Sequence, residues 1–161
     1  MLDRLPAPLH RLLLRAGQRV RLRMWGLLGR EVRGCLVLAF DPADRMLLVR
    51  HSYHQPGCWL LPGGGLSRGE DPVAASAREL AEETGCQLHG ACWIGTDLRV
   101  MPGGWRNRVE LVAGRTSGTP RPDGREIAEA AFFSLGALPP ATGISVHVGL
   151  AQWRAWQASE R

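Results

Sequence analysis

Hydrophobic and polar positions along the chain predict strands first and a charged helix after them. Apolar runs at 32–40 and 46–50 flank the turn-forming stretch Asp41-Pro42-Ala43-Asp44, a pattern typical of a β-hairpin. A further short strand is expected at 58–61, just before Pro62 and three glycines.

A helix is predicted to follow the glycines. Asp71 and Pro72 offer an N-cap and a proline in the first helical turn. Small and apolar residues continue to Thr84, and Gly85 stands where a helix C-terminus favours glycine. The expected helix therefore spans 71–84.

The second half of the chain predicts more strands and a last helix. Strands are expected at 87–100 and 107–115, a loop rich in glycine and proline at 116–124, a strand at 128–133 and a helix at about 143–157. This order of elements predicts an α/β chain in an α+β arrangement, in which helices cover both faces of a mixed sheet.

Composition indicates one soluble globular domain. The chain has 161 residues, 45% hydrophobic and 22% charged, and no apolar run approaches the roughly 20 residues that a membrane span needs. The first ten residues do not resemble a secretory signal, so a cytoplasmic protein is expected. Four cysteines without close paired spacing predict buried free thiols.

Positive charge is concentrated at the N-terminus. The net charge of +5 comes from arginine alone, and residues 1–34 hold eight arginines against Asp3 and Glu31. We expect a basic, helical N-terminal arm at 1–30, followed by the main domain at 31–161. A solvated amphipathic helix explains the arm, although attraction of nucleic acid is not excluded.

Three glutamates on the predicted helix suggest a metal site. Glu79, Glu82 and Glu83 are spaced i, i+3 and i+4, so that their carboxylates project from one side. Like charges so close together repel each other, and hard oxygen ligands suit Mg²⁺ or Mn²⁺. Arg78 is expected to orient one carboxylate. Taken alone, these four residues favour a solvated charged face over a metal site.

The residues before the glutamates favour the metal site. Gly64 is followed after five residues by Glu70, and after seven more by Arg78 and the run that ends at Gly85. This pattern resembles the Nudix box in full, with Cys86 in place of the usual bulky aliphatic residue. The resemblance implies an α/β/α sandwich and Mg²⁺-dependent hydrolysis of a nucleoside diphosphate linked to another moiety.

The resemblance also implies roles for individual residues. Glu79, Glu82 and Glu83 would bind the metal, and Arg78 and Glu70 would orient them. Glu82, Glu83 and Arg78 are the candidates for catalysis. The general base is left open, with Glu82 and Glu83 ranked ahead of Glu126 and Glu129. Either of the last two could instead supply a further metal ligand, and an ordinary loop or strand-end charge explains them about equally well.

The substrate is less well indicated. Candidate contacts are Gly64, Gly65, Trp105 and Arg50. Pro102, sixteen residues after Cys86, mildly favours ADP-ribose or a nucleotide sugar. A nucleoside triphosphate pyrophosphohydrolase and a non-catalytic nucleotide- or RNA-binding domain are the alternatives, and a proline- and tryptophan-rich array typical of NADH pyrophosphatases is not found. Homodimerisation is common among similar proteins and is favoured here.

Overall fold

The described residues form six strands and two helices. The structure is a computed structural model that describes residues 31–52, 55, 57–102, 104–124 and 126–160. In chain order the elements are β1 Glu31–Phe40, β2 Met46–His51, β3 Gly63–Gly65, α1 Pro72–Thr84, β4 Gln87–Val100, β5 Arg106–Ser117, β6 Ile127–Phe133 and α2 Ile144–Ser159.

The strands form one mixed sheet, as predicted. Its order is β4-β5-β1-β2-β6, and β3 pairs with β1 outside this path. Strands β1 and β5 run parallel, whereas the other pairs are antiparallel. The hairpin of β1 and β2 is confirmed by the pairing of Phe40 with Met46.

Alternation along the strands separates two cores, one on each face of the sheet. Val37 and Ala39 of β1 pack with Leu80 of α1, and Leu38 and Phe40 pack with residues of α2 that include Leu150. A period of two places successive side chains on opposite faces. The predicted arrangement, a sheet between two helical layers, is therefore confirmed.

Helix α1 begins and ends where its capping residues predict. The Asp71 carboxylate accepts a hydrogen bond from the Ala74 N–H at 2.8 Å. Gly85 has a φ of 69° and donates its N–H to the Ala81 carbonyl at 2.9 Å, an arrangement that glycine adopts without steric cost. Both ends are fixed by local bonds.

The prediction of a strand at 58–61 is wrong. Trp59 and Leu60 make only isolated bridges, and the strand is β3, where Gly64 lies opposite Cys35 of β1. A Cβ at Gly63, whose φ is 149°, would overlap the β1 backbone. Only glycine permits this approach, so residues expected to form a loop complete the sheet. The other predicted element bounds within 31–160 agree to within two residues.

Three further expectations have different outcomes. The helical arm at 1–30 lies outside the described residues and stays a prediction. Within the described residues no helix is long and apolar enough to cross a membrane. The cysteines are free as expected; Cys35 and Cys86 are buried, and Cys58 and Cys92 are half-buried.

Candidate active site

The carboxylates of α1 lie against the glycine strand β3. The Glu83 carboxylate accepts a hydrogen bond from the Gly63 N–H at 3.0 Å. One helical turn earlier, the Glu79 carboxylate lies on Gly64, where an added Cβ would overlap it. The spacing of the two glutamates puts both on the same side of the helix. Strand β3 is therefore the floor of a small carboxylate site.

Arg78 connects the carboxylates that surround it. Its guanidinium donates to Glu79 at 2.7 Å and to Glu70 at 3.2 Å, and lies 3.6 Å from Glu82. It also donates to the Gly65 carbonyl at 3.4 Å. The hydrogen bond to Glu79 is the main reason that the pKa of Arg78 is raised. The orienting role predicted for Arg78 and Glu70 agrees with these contacts.

Glu83 is the buried acid of the site. Only 8% of its surface is exposed. Burial, together with the negative charges of Glu79, Glu126 and Asp123, raises its pKa to about 8, against the opposing effect of the Gly63 N–H. A buried carboxyl near like charges favours the protonated form. Ionised Glu83 is therefore costly unless a positive charge lies beside it.

The three predicted ligands are not drawn together. Glu79 is 15% exposed, whereas Glu82 is 62% exposed and faces Arg78. Within the part of the chain that the structure describes, no three His, Cys, Asp or Glu side chains are gathered closely enough to hold a metal ion. Glu83 is bonded to Gly63 and Glu79 to Arg78, and Glu82 is the carboxylate that would have to turn to join them.

The chemistry of the pocket nonetheless fits a divalent cation. Its donors are hard carboxylate oxygens, which Mg²⁺ and Mn²⁺ prefer. A cation between Glu79 and Glu83 would relieve the repulsion that raises the pKa of Glu83. The fit rests on the cost of ionising the buried Glu83 and on the close approach of the Glu79 carboxylate to the backbone at Gly64.

The other two candidate bases, Glu126 before β6 and Glu129 within it, have different surroundings. Strand alternation puts Glu129 on the face of α2, where it pairs with Arg50 at 3.3 Å. The charge of Glu126 instead acts on Glu83. Glu126 is therefore the loop carboxylate that belongs to the site of α1.

Sequence reasoning missed Asp123. Its carboxylate accepts the N–H groups of Glu126 and Ile127 at 3.1 and 2.8 Å, and its charge also acts on Glu83. The Asp-Gly pair at 123–124 is a turn signal, but the sequence does not indicate which element the turn faces.

Of the four residues proposed to contact the substrate, two lie in the site of α1. Gly64 lies against the Glu79 carboxylate, and the Gly65 carbonyl accepts a hydrogen bond from Arg78. Arg50 packs over the Trp59 ring at 5.5 Å, on the α2 side of the sheet. Trp105 is a core residue with 8% of its surface exposed, so its ring is not presented for stacking on a base. Arg50 and Trp105 are thus not brought to the site of α1.

A second buried carboxylate lies on β5 and was also missed. Glu110 accepts hydrogen bonds from Thr96 at 2.7 Å, Arg108 at 2.7 Å and Trp93 at 2.9 Å. Burial alone would raise its pKa, but these donors outweigh burial and lower it. Because its bonds are made within the sheet, Glu110 stabilises strand packing.

Comparisons with known proteins identify the family. The family model of the NUDIX domain matches residues 30–153, and the chain belongs to this family. Among solved structures, the MutT NUDIX hydrolase from Burkholderia pseudomallei is similar with a TM-score of 0.67 and 25% identity, covering 76% of this chain and 97% of that one. The resemblance seen in residues 64–86 is confirmed.

Curated relatives share part of their length with this chain. The NAD-capped RNA hydrolase NudC of Vibrio atlanticus is 29% identical over 105 residues, which are 65% of this chain and 38% of that protein. The isopentenyl-diphosphate Delta-isomerase of Streptomyces griseus is 34% identical over 119 residues, 68% of this chain and 60% of that protein. The chain spans about two fifths of the length of the NudC proteins that it matches.

Proposed function

We propose that this protein is a divalent-metal-dependent pyrophosphohydrolase that cleaves the diphosphate bond of a nucleotide-derived substrate. The observation that carries the proposal is the buried Glu83, held on Gly63 and surrounded by the charges of Glu79, Glu126 and Asp123. Membership of the NUDIX domain family supports it.

In this proposal Glu79 and Glu83 hold the metal, and Glu82 joins them when its side chain turns from solvent. A bound Mg²⁺ or Mn²⁺ would neutralise phosphate oxygens and lower the pKa of a coordinated water. Arg78 and Glu70 keep Glu79 in position through their hydrogen bonds. Glycines at 63–65 leave room for the diphosphate to approach the backbone.

The reaction is attack of water on one phosphorus of the diphosphate. A new P–O bond forms to the water oxygen, the bridging P–O bond breaks, and the bridging oxygen leaves on the second phosphate. The water proton passes to a carboxylate. Glu126 is assigned this role because its charge acts on Glu83 from outside the helix and its loop is bonded to Thr84, whereas Glu129 lies on the α2 face of the sheet. The products are two phosphate monoesters.

The proposed substrate class is a dinucleotide or nucleoside diphosphate derivative such as ADP-ribose or a nucleotide sugar. The similarity to NudC proteins, whose name describes hydrolysis of NAD-capped RNA, supports a diphosphate between two nucleosides. The weak indication from Pro102 is consistent with the same class.

A substrate panel tests the proposal. The purified chain is incubated with NADH, ADP-ribose, a nucleotide sugar, nucleoside triphosphates and isopentenyl diphosphate, with Mg²⁺, Mn²⁺ or EDTA, and mononucleotide release is measured. We expect metal-dependent release of mononucleotide from the first three. Pyrophosphate release from triphosphates alone would favour a triphosphate pyrophosphohydrolase, and binding without cleavage would favour a non-catalytic domain.

A further inference from the structure

The loop before β6 is attached to the end of α1. The Arg121 N–H donates to the Thr84 carbonyl at 2.7 Å, one residue after Glu83. Farther along, the Ser52 N–H donates to the Glu126 carbonyl at 2.8 Å, which ties the loop to the end of β2. The loop is therefore anchored at Arg121 and at Glu126.

Asp123 closes the turn between these two anchors. One carboxylate oxygen accepts the N–H groups of Glu126 and Ile127, at 3.1 and 2.8 Å, and the other lies 3.3 Å from the Glu126 nitrogen. The Gly124 N–H donates to the Ile127 carbonyl at 3.1 Å. An aspartate that accepts backbone N–H groups further along the chain fixes the conformation of such a turn.

The turn fixes the position of the Glu126 backbone, from which the side chain projects. Ile127 is fully buried and is the first residue of β6, so Glu126 is the last residue that the loop can orient freely. The bonds from Asp123 hold its backbone nitrogen directly. A change in this turn would move the Glu126 carboxylate relative to α1 while leaving the sheet in place.

We propose that Asp123 is a positioning residue whose carboxylate holds Glu126 beside Glu83. This inference rests on the proposed function for its effect on kcat, because Glu126 transfers a proton only if the site of α1 is catalytic; its effect on Mn²⁺ affinity does not require hydrolysis. Asp123 holds the turn through an oxygen acceptor, which asparagine also supplies. Asparagine lacks the charge that acts on Glu83, so it separates the turn from that charge.

A double-mutant cycle tests this proposal. Asp123→Ala, Asp123→Asn, Glu126→Gln and the double variant D123A/E126Q are prepared in the full chain, and folding is checked by thermal unfolding. Mn²⁺ affinity is measured from the electron paramagnetic resonance signal of the free ion. The constants kcat and KM are measured with the panel substrate that the unmodified protein hydrolyses best. We expect about a 10-fold loss in Mn²⁺ affinity or kcat for Asp123→Ala, and recovery with Asp123→Asn.

The cycle separates positioning from general stabilisation. If Asp123 acts through Glu126, the effect of Asp123→Ala in the Glu126→Gln background falls to that of Asp123→Asn alone, which reflects only the lost charge. Asp71→Ala is the matched control, because it also removes a carboxylate that accepts a backbone N–H; its effect should multiply with that of Glu126→Gln. The proposal is overturned if D123A and E126Q effects multiply, if Glu126→Gln is silent, or if Asp123→Asn is as damaging as Asp123→Ala.

Failure of this inference is distinguishable from failure of the proposed function. If the unmodified chain shows metal-dependent hydrolysis but the effects of Asp123→Ala and Glu126→Gln are independent, only the role of Asp123 is overturned. Coupled losses of Mn²⁺ affinity without hydrolysis of any panel substrate would overturn the proposed function and support the positioning role.

Discussion

The carboxylate of Glu83 accepts the backbone N–H of Gly63 at 3.0 Å, which joins the last turn of the glutamate-bearing helix to the glycine strand. This contact brings a buried acid to a segment whose backbone has no side chains to shield it. The helix and the strand are twenty residues apart at this point. The account of function depends on what this pair can bind.

Gly64→Ala should impair the site with little effect on the fold. The new Cβ would overlap the Glu79 carboxylate, which is the far end of a flexible side chain and can move away. We expect roughly a 10- to 100-fold loss of activity and a nearly unchanged unfolding temperature. Gly136→Ala is the control, since an added Cβ there meets nothing within 4 Å and Gly136 lies outside the site. Equal activity of both variants would contradict the placement of Glu79.

Arg78→Lys should reduce activity even though the charge is kept. A lysine ammonium cannot reach Glu70, Glu79 and the Gly65 carbonyl at once, as the planar guanidinium does. We expect about a 10- to 100-fold loss in Mn²⁺ affinity or kcat. Isothermal titration with Mn²⁺ measures this effect. An unchanged Mn²⁺ affinity together with unchanged kcat would show that Arg78 does not orient the carboxylates.

Glu126→Gln should lower kcat far more than Glu129→Gln. Glu126 acts on Glu83, whereas Glu129 pairs with Arg50 on the other face of the sheet. We expect about a 100-fold loss for Glu126→Gln, within the usual contribution of a general base, and less than a 2-fold change for Glu129→Gln. Steady-state kinetics of the two variants decide between them, and a larger loss for Glu129→Gln would reverse the assignment.

The stability of the metal-free protein should fall as pH rises from about 5.5 to 8. Burial raises the pKa of Glu83 from 4.5 to about 8 in the folded state, so the folded state binds more protons than the unfolded state in this window. The contribution of Glu83 is full below its unfolded pKa and is lost as pH rises through its folded pKa. Thermal unfolding in EDTA at a series of pH values measures this loss of stability.

Glu83→Gln is the control for this pH dependence. Asp41 and Glu110 have lowered pKa values, and their stabilising contributions are lost only at more acidic pH, outside the window. The variant should therefore show a flatter pH profile between 5.5 and 8. Mg²⁺ should stabilise the unmodified protein more at pH 8 than at pH 6, because metal binding favours the ionised carboxylate. Parallel profiles of the two proteins would contradict the assignment.

Much of the fold and the helix of the site could be predicted because their signals are local. The Asp71 cap, the Gly85 stop and the spacing of the glutamates lie within one continuous segment, where helical geometry relates position to direction. Strand bounds followed from apolar runs in the same way. The Nudix resemblance is also carried by contiguous residues.

The rest of the site depends on pairing that a linear pattern does not contain. Glu129 and Arg50 face α2 because of the register of β2 with β6, and a shift of one residue would reverse that face. Strand β3 exists because Gly63 can lie against the β1 backbone. The turn at Asp123 lies beside α1 because Arg121 bonds to Thr84, two residues far apart in the sequence.

The most direct test is the rate of mononucleotide release by the unmodified chain, Glu83→Gln and Glu82→Gln, each with saturating Mg²⁺ and with EDTA. The account predicts metal-dependent release by the unmodified protein, about a 100-fold or greater loss in Glu83→Gln, a loss of most turnover in Glu82→Gln, and folded protein in both variants. Full activity of folded Glu83→Gln, or release that is unchanged by EDTA, would contradict it.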